Sequence, residues 1–149
     1  MSDNGCIACD VVAGRIVPPG GIVLDDGVWV LSHSISPVLL RGWLILEPKR
    51  HVEHLADLSE VEAVALGPLI ARVSSAVMRV LQAEKVYACS FGEDVRHVHW
   101  YLIPRYADMS VQGVAVLNEM FANPSPWACG DEDAAEASSR VQAALADLN

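Results

Sequence analysis

The sequence carries five histidines and four cysteines, and their spacing concentrates the chemistry in three places. The first is Cys6-Ile7-Ala8-Cys9. A CxxC pair is either half of a metal site or a redox dithiol. The redox form usually follows a strand and opens a helix, and no strand pattern precedes Cys6, so the metal reading is favoured. The second place is Arg96-His97-Val98-His99-Trp100-Tyr101-Leu102-Ile103-Pro104. Side chains on an extended segment alternate faces, which puts His97, His99, Tyr101 and Ile103 on one side and Val98, Trp100 and Leu102 on the other. Side chains roughly 7 Å apart along such a face offer metal ligands, a nucleophile or general acid–base groups. A plain solvent-facing strand edge would carry the same letters. The third is His51, which follows Pro48-Lys49-Arg50 where a strand ends. His51 and His54 also read as caps of a surface turn, and His33 completes the set.

Together Cys6, Cys9, His51 and His97 form a Cys₂His₂ inventory, the usual donor set for tetrahedral zinc. An ion there ties the N-terminal segment to two strands, with stabilisation on the order of 10 kcal/mol for structural sites at neutral pH. His99 then stays unligated beside an anchored residue, and a neutral imidazole held that way is a good nucleophile toward phosphorus. In a different reading His97 and His99 both ligate a catalytic metal.

The rest of the chain must position these groups. Cys6–Arg15 reads as a short helix closed by Gly14, with Val17-Pro18-Pro19-Gly20-Gly21 as punctuation. Val28–Leu31 is a strand after the turn residues Asp25-Asp26-Gly27, and Trp43–Glu47 a second one closed by Pro48. Ser59-Glu60-Val61-Glu62 has the form of a capping box. From there to about Ala83, the apolar positions Leu69, Ile70, Val73, Val77, Val80 and Leu81 fit a helix that Pro68 is expected to kink or split. Val86–Phe91 and Val95–Ile103 are strands four and five if a piece near Ile22–Leu24 counts, with Gly92-Glu93-Asp94 as a turn between them. Order weakens after Pro104. Asn123-Pro124-Ser125-Pro126 reads as a linker, and Asp131–Leu148 as a last helix with three acids at its start and a thin stripe of Val141, Leu145 and Leu148. The fold class is α+β, built on an antiparallel sheet.

With 149 residues, 52% of them hydrophobic and 19% charged, the chain is expected to form one domain with a real core. The expected division is a domain over 1–122 and a linker with an acidic C-terminal helix over 123–149. A net charge of −9 argues against a broad nucleic-acid surface. A membrane span is not expected, because the longest apolar stretch, Ala63–Ala71, falls short of roughly 18–20 residues and contains Gly67-Pro68. The opening MSDNGC lacks a basic n-region and an apolar h-region, so no signal peptide is expected and the default location is the cytoplasm. There, Cys6, Cys9, Cys89 and Cys129 do not suggest a disulfide framework.

The motifs Cys6-x-x-Cys9, Pro48-Lys49-Arg50-His51 and His97-Val98-His99-Trp100-Tyr101-Leu102-Ile103-Pro104-Arg105 resemble those of the histidine triad (HIT) superfamily, in its zinc-containing bacterial form. The resemblance runs from Cys6 to about Tyr106. It implies a HIT-like antiparallel sheet with helices packed on it, a homodimer, and a nucleotide-like small-molecule substrate. It further implies hydrolase or transferase chemistry on nucleoside phosphates through a nucleotidyl-histidine intermediate. Carried onto this sequence, His99 is the nucleophile with Tyr101 at the third motif position, and Cys6, Cys9, His51 and His97 hold zinc. Ser34, Trp43, Ser90, Glu93 and Asp94 fall at substrate-binding positions. Several of these depart from the family pattern. Tyr101 replaces a histidine, and a phenol with a pKa near 10 is a poor proton shuttle at neutral pH. The transferase branch, typified by galactose-phosphate uridylyltransferase, also replaces that histidine, there with glutamine. Gly42-Trp43 stands for Gly-His, Ser34 for a ribose-binding acid, and Gly92-Glu93-Asp94 for Gly-Gln-Ser. Carboxylates facing a phosphate repel it by about 4 kcal/mol at 4 Å and an effective dielectric of 20. Glu93 and Asp94 must therefore point away, pair with Arg96 or Arg105, stay protonated, or serve a substrate that is not an ordinary nucleotide. A catalytically silent, zinc-stabilised module binding a nucleotide or a protein is the alternative these departures leave open.

Overall fold

The computed structural model describes residues 5–147, so Leu148 and the first four residues of the chain lie outside it. A single five-stranded antiparallel sheet runs in the order β1-β2-β3-β5-β4. Its strands are β1 (Ile22–Asp25), β2 (Trp29–His33), β3 (Leu44–Pro48), β4 (Lys85–Cys89) and β5 (Trp100–Arg105). The β1–β2 turn is set by side-chain oxygens. Asp25 accepts from the Gly27 N–H, and Asp26 accepts from the N–H groups of Val28 and Trp29. This is the local bonding that makes aspartate a turn residue.

Alternation along the strands sorts side chains into two cores. Trp29, Leu31, Leu44, Leu46, Val98 and Leu102 face the larger one, beneath α2 (Glu60–Leu81) and α4 (Asp131–Ala146). Trp43 and Ile103 face the smaller one, with Ile45 and Tyr101 packed against it. The Trp29 indole N–H donates to the Glu62 carbonyl, which pins α2 to the sheet. The expected capping box is present. Ser59 Oγ accepts from the Glu62 N–H, and the Glu62 carboxylate accepts from the Ser59 N–H while pairing with Arg50 at 2.7 Å.

Of the two expected effects of Pro68, splitting does not occur: α2 runs unbroken through it. Gly67, Pro68 and Val64 all lie on its exposed face, so the carbonyl that Pro68 leaves without an N–H donor meets water. By length and composition α2 could cross a membrane, but Leu69, Val73, Ala76, Val77 and Leu81 are buried in the core. The helix α4 shares that core through Ala137, Val141, Ala144 and Leu145. Its first half is bound to the loop after β2 by a Ser36–Asp131 hydrogen bond and an Arg41–Glu136 ion pair. Two further helices are α1 (Ile7–Val12) and α3 (Val114–Met120). The latter was not anticipated; it buries Val116 and Met120 against Leu40, Trp43 and Ile103.

A second correction concerns β5, which begins at Trp100 and not at Val95. The ladder with β3 ends at Leu46–Trp100, two steps short of the point where Pro48, which has no N–H, would face Val98. The Val98 N–H bonds instead to Val52 O at 2.7 Å, and the His97 N–H turns back to Val95 O. His97 and His99 therefore sit on an irregular segment leading into the strand. Their side-chain alternation nonetheless continues that of β5.

Candidate active site

Cys6 and Cys9 bracket the start of α1, His51 follows β3, and His97 precedes β5. The fold brings their donor atoms within 4.8 Å of one another, a group that could hold a metal ion. Nδ1 of His97 lies 3.6 Å from Cys6 Sγ and 3.5 Å from Cys9 Sγ, while His51 Nδ1 is 3.2 Å from Cys9 Sγ. The His97 ring is fully buried and its Nε2–H donates to the Pro48 carbonyl at 2.9 Å. That bond assigns the proton to Nε2 and turns the Nδ1 lone pair toward the sulfurs.

The adjacent histidine is held the opposite way round. His99 Nδ1–H donates to the His97 carbonyl at 2.7 Å, so its lone pair is on Nε2, which makes no hydrogen bond among the described residues. Tyr101 lies next along the same face, its ring centroid 5.0 Å from that of His99. Trp43, Phe91 and Phe121 enclose the phenol at centroid distances of 5.2, 6.1 and 6.2 Å. Burial, and then the nearby Cys89 and Asp94, raise the Tyr101 pKa above its ordinary value. At neutral pH it is a hydrogen-bond donor.

Two clefts meet at His99, Tyr101 and Val95. One, of about 300 Å³, runs beneath α1 between Ile7, Ala8, Val11, Ile35, Leu39, Trp43, Ile45 and Glu47 and includes Ser34. The other, of about 290 Å³, is lined by Phe91, Gly92, Glu93, Asp94 and Phe121. Glu93 and Asp94 are exposed and make no ion pair among the described residues; Arg105 is engaged at 2.7 Å by Glu84 instead. Ser34 and Trp43 are joined by a backbone hydrogen bond at the first cleft's rim. Ser90 is half-buried just past β4 and lines neither cleft.

His33 and His54 lie outside the Cys6, Cys9, His51, His97 group, although His33 lines the first cleft. His54 is exposed ahead of a 3-10 turn. His33 is buried, with Nδ1–H donating to Ser34 O and Nε2 accepting from the Gly42 N–H, so it clasps the loop that walls the cleft. Sequence reading missed Glu47, Phe91 and Phe121. The only signal for Glu47 was an acid ending the otherwise apolar run Trp43-Leu44-Ile45-Leu46.

Comparison with known proteins converges on one family. A model described as the HIT domain matches residues 17–108. An adenosine 5′-monophosphoramidase of Schizosaccharomyces pombe is 29% identical over 104 residues, 67% of this chain and 74% of that protein. An uncharacterised HIT-like protein of Saccharolobus solfataricus is 27% identical over 107 residues, 68% of this chain and 75% of its own length. The crystal structure of a zinc-bound histidine triad family protein from Mycobacterium smegmatis superposes with a TM-score of 0.73 at 20% identity, covering 97% of this chain and 95% of that one. At that identity the likeness is one of fold.

Proposed function

This chain belongs to the HIT domain family, and on that premise we propose that it is a nucleotide hydrolase or nucleotidyltransferase using His99 as its nucleophile. The observation that carries the proposal is the His99 Nδ1–H bond to the His97 carbonyl, which leaves Nε2 unprotonated where two clefts join. The apolar cleft suits a nucleoside, and its volume is at the lower end for small-molecule sites. Nε2 attacks the α-phosphorus and forms an N–P bond. The bond from phosphorus to the leaving group breaks, its electron pair departs with that group, and an amine leaves neutral by taking a proton from solvent at the cleft of Glu93 and Asp94. The ring becomes an imidazolium, and the His97 carbonyl stabilises its remaining Nδ1–H. Water, or another acceptor, then attacks phosphorus and gives up its proton to solvent, while the N–P bond breaks and its electron pair returns to Nε2.

The leaving group sits toward Glu93 and Asp94. A departing amine suits carboxylates, whereas a departing polyphosphate is repelled by them. Nucleoside phosphoramidates are therefore the preferred substrate class, the class hydrolysed by the adenosine 5′-monophosphoramidase relative. Tyr101 serves as a donor to the phosphoryl group.

Zinc is the ion that Cys6, Cys9, His51 and His97 would hold. Tetrahedral bonds of about 2.3 Å to sulfur and 2.0–2.1 Å to nitrogen require S···N separations of about 3.5 Å, which the observed 3.2, 3.5 and 3.6 Å bracket. Its contribution is structural, fixing α1 to the segments after β3 and before β5. The reading also carries a homodimer in a reducing cytoplasm, where both cysteines stay reduced and free to ligate.

The test is turnover of nucleoside phosphoramidates, dinucleoside polyphosphates and nucleotide sugars by wild type and His99→Ala. Removing a covalent nucleophile lowers kcat by roughly 10³-fold or more on the active class. Equal rates for the two proteins on every substrate refute the mechanism. Tyr101, Ser34 and the two carboxylates favour a second reading, a zinc-stabilised binding module without turnover. A phosphorylated His99 trapped during reaction rules that out.

A further inference from the structure

Glu47 has no part in the phosphoryl chemistry of His99, yet it occupies the floor of the nucleoside cleft. It is 4% exposed, and its Oε1 has no hydrogen-bond partner among the described residues. An unpartnered buried carboxyl costs folding free energy that a leucine at the same place would not. Such local conflicts with folding are expected where a residue serves binding.

The geometry gives it a direction. Ile45 and Glu47 alternate onto one face of β3, Trp43 just before the strand continues that alternation, and all three line the apolar cleft. One step beyond the last β3–β5 pair, Leu46 with Trp100, the register sets Glu47 opposite His99. Glu47 nevertheless lines only the nucleoside side and not the cleft of Glu93 and Asp94. That position excludes it from protonating a leaving group and puts it against the part of the ligand beneath α1. Ala8 and Ser32, both small, also line this cleft and leave room for a ligand edge there.

Resting on the nucleotide reading of the cleft, we infer that Glu47 is a specificity residue that hydrogen-bonds an amino N–H and its neighbouring ring nitrogen, the edge of adenine- and cytosine-type bases. Burial pushes its carboxyl up to about 8, so near neutral pH it presents one O–H donor and one carbonyl acceptor in a plane. The donor meets the ring nitrogen and the acceptor takes the amino hydrogen. Guanine's two adjacent N–H donors call for the ionised form, which an apolar cleft disfavours.

The experiment measures calorimetric affinity of the zinc-loaded full chain for adenosine, guanosine and purine-riboside 5′-monophosphates. The purine riboside differs from adenosine only by the missing amino group. Wild type is expected to prefer the adenosine ligand over the purine riboside by roughly 10- to 100-fold, the cost of a buried hydrogen-bonding group left unmet. Glu47→Gln, whose carboxamide also offers a donor and an acceptor, keeps that preference. Glu47→Leu loses it while melting at a higher temperature in the absence of ligand. A Leu variant that is more stable and still discriminates like wild type overturns the inference and leaves the nucleotide reading standing. So does a wild type that holds the guanosine ligand most tightly or is indifferent to the amino group. Failure of every nucleotide to bind overturns both.

Discussion

Replacing Glu47 with glutamine should change how stability depends on pH, in a direction the structure fixes. The carboxyl is almost completely buried, and burial alone raises its pKa from 4.5 to about 8. Between those values the folded protein keeps a proton that the unfolded chain has released. Folding therefore takes up a proton, and stability falls as pH rises. The contribution is fully present below the unfolded value and is lost as pH climbs through the folded one. The slope is about 1.4 kcal/mol per pH unit, so between about pH 5.5 and about pH 7.5 wild type loses about 3 kcal/mol from this one group. Glutamine has nearly the same shape as the protonated acid and does not titrate. Urea unfolding of both zinc-loaded proteins across that range isolates the effect, because the remaining ionisable groups cancel in the difference. The variant should gain about 3 kcal/mol on wild type between the two ends of the range. A flat difference would mean that the folded carboxyl ionises as it does in water, and the account of an unpartnered, apolar environment would be wrong.

Two other perturbations probe the scaffold and the metal cluster. Gly42 has a φ of +79°, and a Cβ built there meets Leu81 Cδ1 at 2.6 Å and Tyr106 Oη at 2.9 Å. Gly42→Ala should lower unfolding free energy by roughly 2–4 kcal/mol, combining left-handed strain with overpacking; a loss within about 0.5 kcal/mol in urea titration, the range of neutral surface changes, refutes the clash. Cys9→Ser removes the sulfur closest to both histidine nitrogens. Zinc measured by mass spectrometry should drop from one per chain toward none, the melting temperature should fall, and chelator should no longer lower it; unchanged zinc content would exclude Cys9 as a ligand.

Much of the architecture was legible because period and spacing carry it. Alternation around His99 sorted core from cleft, Trp43–Glu47 read as a strand, and Ser59 with Glu62 announced the start of α2. Spacing also nominated Cys6, Cys9, His51 and His97 as one group before any contact was visible. The misreadings came where an effect depends on what lies across from a residue. Pro68 looks like a breaker until its face of α2 proves exposed. Val95–Ile103 looks like a continuous strand until Pro48 is found opposite Val98, where the ladder has no donor to continue. The walls around Tyr101 were illegible for a related reason. Phe91 and Phe121 reach it from a loop and from the end of α3, and neither segment has a periodic pattern that would place it.

Which nitrogen of each histidine bears the proton is likewise decided by partners that no motif encodes. His97 gives its Nε2–H to the Pro48 carbonyl, and His99 gives its Nδ1–H to the His97 carbonyl. The ring of His97 thus belongs to the Cys6, Cys9, His51 group that could hold a metal ion, while its backbone oxygen orients the imidazole of His99. Anything that fixes one residue fixes both. The irregular backbone of this segment has the same origin, since a regular ladder would commit the His97 carbonyl to a strand partner and free the imidazole of His99 to rotate. The early end of β3 at Pro48 therefore acts twice, by supplying the acceptor for the His97 ring and by releasing the backbone carbonyl that holds the His99 ring.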